Sequence, residues 1–86
     1  MIRVRCVGHI ATSVGRDALE LDLDEIQVGE LIERLRALAS EPERAGFSRF
    51  NTLAMVEDGE AFVVGSKDRV LKTGEGVVLI PFSHGG

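Results

Sequence analysis

From Ala18 to Asp24 the chain alternates without a break, with Leu19, Leu21 and Leu23 on one side and Glu20, Asp22 and Asp24 on the other. Period-two alternation reads as a β-strand with one face buried. A slip of one residue would turn three leucines to water and bury three carboxylates, so the register here is strongly specified. Ile2, Val4 and Cys6 alternate with Arg3 and Arg5 in the same way, and Gly8 and Thr12-Ser13-Val14-Gly15 supply turn material between the two segments. An antiparallel hairpin is expected from this pattern.

The period then changes. Val28, Leu31, Ile32, Leu35, Leu38 and Ala39 fall on one stripe of a helix, with Glu25, Glu30 and Glu33 toward its start and Arg34 and Arg36 toward its end. That charge order suits the helix dipole. Ser40-Glu41-Pro42-Glu43 has capping-box spacing and predicts a short second helical turn. Leu53–Glu57 and Glu60–Val64 flank Asp58-Gly59, a hairpin signal because glycine accepts positive φ. Val77-Val78-Leu79-Ile80 is wholly apolar, as in a strand covered on both faces. Such a strand belongs in the middle of a sheet, parallel to the first strand across the helical crossover.

The expected architecture is therefore α+β, a mixed sheet of four to five strands packed on one main helix. This is the β-grasp, or ubiquitin-like, arrangement. It divides the chain into a domain over residues 1–82 and a flexible, exposed C-terminal tail over residues 83–86.

Composition narrows the class. Eighty-six residues with 44% hydrophobic and 28% charged side chains match one small globular core, without a cleft between two lobes. The net charge is −4 and the ten basic residues are scattered, so direct attraction to nucleic acid or to an anionic membrane is not expected. No apolar run approaches the ~20 residues of a membrane span, and the start of the chain lacks a signal-peptide core. A cytoplasmic protein is the expectation. Cys6 is the single cysteine, which excludes an internal disulfide and a multi-cysteine metal site.

Chemistry is expected at the end of the chain. After the apolar strand come Pro81-Phe82-Ser83-His84-Gly85-Gly86. Proline cannot donate to a sheet ladder, so pairing is expected to stop near Pro81. Ser83, His84, Gly85 and Gly86 span at most roughly 13–14 Å when extended, and the two glycines form a thread without side chains. The Gly86 carboxylate is ionised at neutral pH, a poor electrophile until activated. Activation as an acyl-adenylate needs ATP, and this chain has no phosphate-binding loop.

These residues resemble the ubiquitin-like sulfur carriers and modifiers of the MoaD/ThiS type, over nearly the whole chain. Val70-Leu71-Lys72-Thr73-Gly74 followed by Val77-Val78-Leu79-Ile80-Pro81 is similar to that family's closing turn, strand and proline before Gly-Gly. Met55-Val56-Glu57-Asp58-Gly59-Glu60 is similar to its central hairpin, and His84-Gly85-Gly86 resembles the ending of the ubiquitin-related modifiers and small archaeal modifier proteins. Gly74-Glu75-Gly76 and Phe82-Ser83-His84 depart from the commoner patterns and leave the branch open.

The resemblance implies a carrier or modifier acted on by partner enzymes, itself no enzyme. An adenylating enzyme of the ubiquitin-activating type, using ATP and magnesium, would activate Gly86. A sulfur donor would then give a thiocarboxylate, with the sulfur passing to a tRNA thiouridine, or the acyl group would pass to lysines of target proteins. One alternative is the small subunit of molybdopterin synthase, donating sulfur in molybdenum cofactor biosynthesis beside a large subunit. A noncovalent β-grasp interaction module is the other. The chain itself is expected to hold no cofactor and no metal.

Pro81 and Phe82 are expected to contact a partner as an apolar collar, with core packing of Phe82 as the equal alternative. Ser83 and His84 are expected as tail spacers, and Lys67 and Lys72 as the candidate modification acceptors. Cys6 reads as a small buried hydrophobe, His9 as a turn residue without a ligand set, and Phe47, Phe50 and Phe62 as core. The acids Glu20, Asp22, Asp24, Glu25, Glu30 and Glu33 read as a solvated face.

Overall fold

The computed structural model describes residues 1–41 and 46–82. Elements follow in the order β1 (Ile2–Cys6), α1 (Gly8–Val14), β2 (Ala18–Leu21), β3 (Glu25–Gln27), α2 (Val28–Leu38), β4 (Thr52–Val56), β5 (Ala61–Val63), β6 (Val70–Lys72) and β7 (Gly76–Pro81). Five strands form one mixed sheet in the order β2-β1-β7-β4-β5, and β3 pairs with β6 in a separate antiparallel ribbon. The architecture is α+β, as expected.

The final strand lies in the centre and runs parallel to β1, with Val4 opposite Val77 and Cys6 opposite Leu79. On its other side it is antiparallel to β4, with Ala54 opposite Leu79. The helices cover one face of the sheet, because alternate residues of β1, β4 and β7, apolar except for Thr52, are turned toward them. Ile2, Val4, Cys6, Ala54, Val56, Val77 and Leu79 are buried there with Leu31, Ile32 and Leu35 of α2. Gly59, at φ 98, turns the β4–β5 hairpin as its sequence predicts.

Four expectations need correction. β1 and β2 do pair antiparallel, Val4 with Leu19, yet the link between them is the helix α1 and not a turn. Ile10 is fully buried, and Ala11 and Val14 pack against the core, so burial of a short apolar stripe outweighs the turn propensity of the surrounding residues. Second, the alternating strand ends at Leu21, and the chain bends through Asp24 before β3 takes Ile26 into the core. Leu19, Leu21 and Leu23 are only partly buried, because β2 is the edge of the sheet.

Third, Leu38 ends the helical stripe 59% exposed and Phe50 is 64% exposed, whereas Ala39, Phe47 and Phe62 are buried. Residue 38 is the last of α2, and Ala39 just beyond it takes the buried place. Fourth, β7 is covered on one face only, since Val78 and Ile80 keep part of their surface in water. The helical turn expected over residues 40–43 falls partly outside the described residues, and the tail over residues 83–86 falls wholly outside them.

Candidate functional site

The end of β7 is held from both sides. Pro81 is still in register with Thr52, so the strand runs through the proline itself. One further bond joins the Phe82 N–H to the Asn51 carbonyl at 3.0 Å. Asn51 is fixed in its turn. Its side-chain Oδ1 accepts from the Ser48 N–H at 2.7 Å and its Nδ2 donates to the Gly46 carbonyl at 3.2 Å. Buried Thr52 adds a 2.7 Å bond from its hydroxyl to the Ser48 carbonyl.

The Pro81 ring also closes on the start of α1, where a Cβ added at Gly8 would lie 3.0 Å from Cγ of the proline. Both Pro81 and Phe82 are half-buried, between the collar and core alternatives. The last sheet bond at Phe82 therefore lies at the end of the central strand. Ser83, His84, Gly85 and Gly86 lie outside the described residues.

The two candidate acceptor lysines differ. Lys67 is ion-paired with Glu60, and its ammonium stands 5.8 Å from the centroid of the Phe62 ring. Lys72 is exposed, and among the described residues its ammonium has no partner. Beside Lys67, Arg69 holds Asp58 at 2.8 Å, Glu60 at 3.0 Å and Glu75 at 3.4 Å. The Glu60 N–H and then Arg69 hold the Asp58 carboxyl below its ordinary range; Lys67 and then Arg69 do so for Glu60. This network ties the β4–β5 hairpin to the turn before β7.

Cys6 is buried, and burial, with a smaller contribution from Asp17, pushes its thiol up to about 11. A neutral, enclosed thiol is no nucleophile at physiological pH. His9 is exposed in the first turn of α1, where a loop was expected. Among the described residues no group of three or more His, Cys, Asp or Glu could hold a metal ion. The six acids of the second strand and early helix are all exposed, as expected of a solvated face.

The face of the sheet away from the helices carries a feature that sequence reasoning missed. An open groove of about 680 Å³ runs across it, lined by Arg3, Arg5, Leu19, Met55, Glu57 and Val78 among others. Arg3 is ion-paired with Glu57, whereas among the described residues Arg5 has no partner. The alternation of β1 already placed both arginines outward. Their convergence with Met55 and Val78 depends on register across three strands, which no local pattern encodes.

No known family model matches this chain, and no curated protein does. Among the described residues no helix is long and apolar enough to cross a membrane.

Proposed function

We propose that the protein is a ubiquitin-like carrier or modifier of the MoaD/ThiS type, built on a β-grasp domain and working through the acyl group of Gly86. The observation that carries this reading is the position of β7. It is the central strand, parallel to β1 and held by β4, and Ser83-His84-Gly85-Gly86 begins one residue after the last sheet bond. A thread of that composition, anchored at a sheet centre, can enter a narrow channel while the folded domain stays outside.

The chemistry is that of a carboxylate. One oxygen of the Gly86 carboxylate attacks the α-phosphorus of ATP in the active site of an adenylating enzyme, and pyrophosphate leaves. The acyl-adenylate then accepts a sulfur nucleophile at its carbonyl carbon with loss of AMP, giving a thiocarboxylate or thioester. Alternatively the acyl group reaches a lysine amine and forms an isopeptide bond. Magnesium and ATP belong to the enzyme, and this chain contributes the acyl group and the docking surfaces.

Intact mass of the protein purified from its native cells tests the proposal. A mass raised by the difference between sulfur and oxygen identifies the thiocarboxylate, and branched tryptic peptides carrying residues 73–86 on a lysine identify conjugation, because Lys72 is the last residue that trypsin cuts after. Only the unmodified mass, with no branched peptides in the same cells, would refute it. The open apolar sheet face favours a second reading, a noncovalent interaction module. One residue appended after Gly86 separates the two: it blocks the carrier and leaves the module functional.

A further inference from the structure

We infer that the outer face of the five-stranded sheet is a self-complementary surface on which two copies of this chain pair. Such pairing is independent of the carrier proposal and would hold for a noncovalent module as well.

The register sets Ala18, Arg5, Val78, Met55 and Ala61 in one row across the sheet. The next row toward the start of β7 carries Glu20, Arg3 and Gly76, and the Glu57 N–H bonds to the Gly76 carbonyl. On the opposite side of the apolar row lie Ile80, Leu53 and Val63. This face therefore holds two cations and two carboxylates around an apolar strip in which Met55 is 40% exposed.

Charge decides the occupant. The chain as a whole carries −4, so most approaches of one copy to another are repulsive. The sheet face is locally neutral and bears both signs, which matches a second copy of itself. A basic partner would be drawn instead to the acidic segments elsewhere, and an acidic one repelled by them.

A two-fold pairing is isologous, so each residue that finds a partner is itself found. Strands lie about 4.8 Å apart and alternate residues on one face about 6.8 Å apart. Consider an axis lying in the face, crossing β7 between Gly76 and Val78 and perpendicular to the line from Arg5 to Glu57. On that lattice it sets Val78 of each copy against Met55 of the other. It also carries Arg5, which has no partner among the described residues, onto Glu57 of the second copy, whose carboxylate has acceptor capacity beyond its bond to Arg3. The platform, five strands by about five residues, measures roughly 24 by 17 Å. That is at the small end of specific interfaces, so the association is expected to be weak and concentration-dependent.

Sedimentation equilibrium of the purified full chain, from about 1 μM to 1 mM, reads the association. The expected result is a mass that doubles across this range. Arg5→Glu and Glu57→Arg should each weaken pairing about tenfold or more, and the double variant should recover it, as coupled charge pairs do. Val78→Asp should be monomeric throughout, and Leu38→Ser, on the far side of the molecule, should pair like the parent. Unchanged thermal unfolding of each variant at low concentration certifies its fold. A parent that stays monomeric to 1 mM overturns the inference. Pairing that survives Val78→Asp, or a double variant no better than its single parents, overturns it equally.

Discussion

Asp68 caps a helix that lies far from it in the sequence, and its removal should be felt by the whole domain. The residue before α2, Gln27, makes no side-chain capping bond. Instead the Gly29 N–H donates to Asp68 Oδ1 at 3.0 Å and the Val28 N–H to the Arg69 carbonyl at 2.9 Å. A side-chain cap contributes typically about 1 kcal/mol, within a range of about 0.5–2. A carboxylate facing the positive end of the helix dipole adds roughly 0.3–1 kcal/mol. Asp68→Ala should therefore cost about 1–2 kcal/mol, and Asp68→Asn less, because an amide oxygen still accepts the bond. For a domain of this size the melting temperature should fall by about 4–8 °C per kcal/mol.

Gly29 sharpens the test. A Cβ there would lie 2.7 Å from Asp68 Oδ2, so Gly29→Ala must displace the cap, although alanine is the better helix former. In the Asp68→Ala background the same change meets no carboxylate and should turn stabilising. Urea titrations followed by circular dichroism at neutral pH give the four stabilities of this cycle. If Asp68→Ala costs less than about 0.3 kcal/mol, or Gly29→Ala acts alike in both backgrounds, the capping argument fails.

Acid should loosen the hairpin network. Asp58 and Glu60 titrate below their ordinary values of 3.8 and 4.5, so their stabilisation is present above those values and is lost as pH falls through them and then through the lowered folded values. Urea midpoints measured from neutrality to pH 2 should decline in that window, less steeply in high salt, and Arg69→Met should flatten the decline; equal slopes with and without Arg69 would count against the network. The Cys6 thiol, buried and pushed up to about 11, should stay unmodified by a disulfide reagent at pH 8 in the native protein and react stoichiometrically in urea. Fast native labelling would show that the β1–α1 packing opens. Leu79→Ala, at a fully buried position of the central strand, should cost about 2–5 kcal/mol in the same titrations, and a cost below about 1 kcal/mol would place β7 outside the core.

How much of this was legible in the sequence depends on how far apart the deciding residues lie. Strict alternation identified β1 and β2, though it ran three residues past the end of β2, the 3.6-residue period identified α2, and Asp58-Gly59 marked the β4–β5 turn, because each signal is complete within a few consecutive residues. The strength of Val77–Ile80 as an apolar run also placed β7 at the centre. α1 was hidden because Ile10, Ala11 and Val14 sit among glycine, serine and threonine, whose turn preference is stronger than a single helical repeat. β3 and β6 were missed because three-residue strands are too short to show a period.

Tertiary structure decided the rest. Whether Val78 faces protein or water depends on helices that cover one side of the sheet and leave the other open. Which arginine is free among the described residues depends on register, since β4 brings Glu57 to Arg3 and not to Arg5. The cap on α2 comes from a residue 39 positions away. Local sequence sets which backbone conformation each segment prefers, because that preference arises from contacts between near neighbours. Partners brought together by chain closure, and the surfaces left uncovered by it, exist only once the core has condensed.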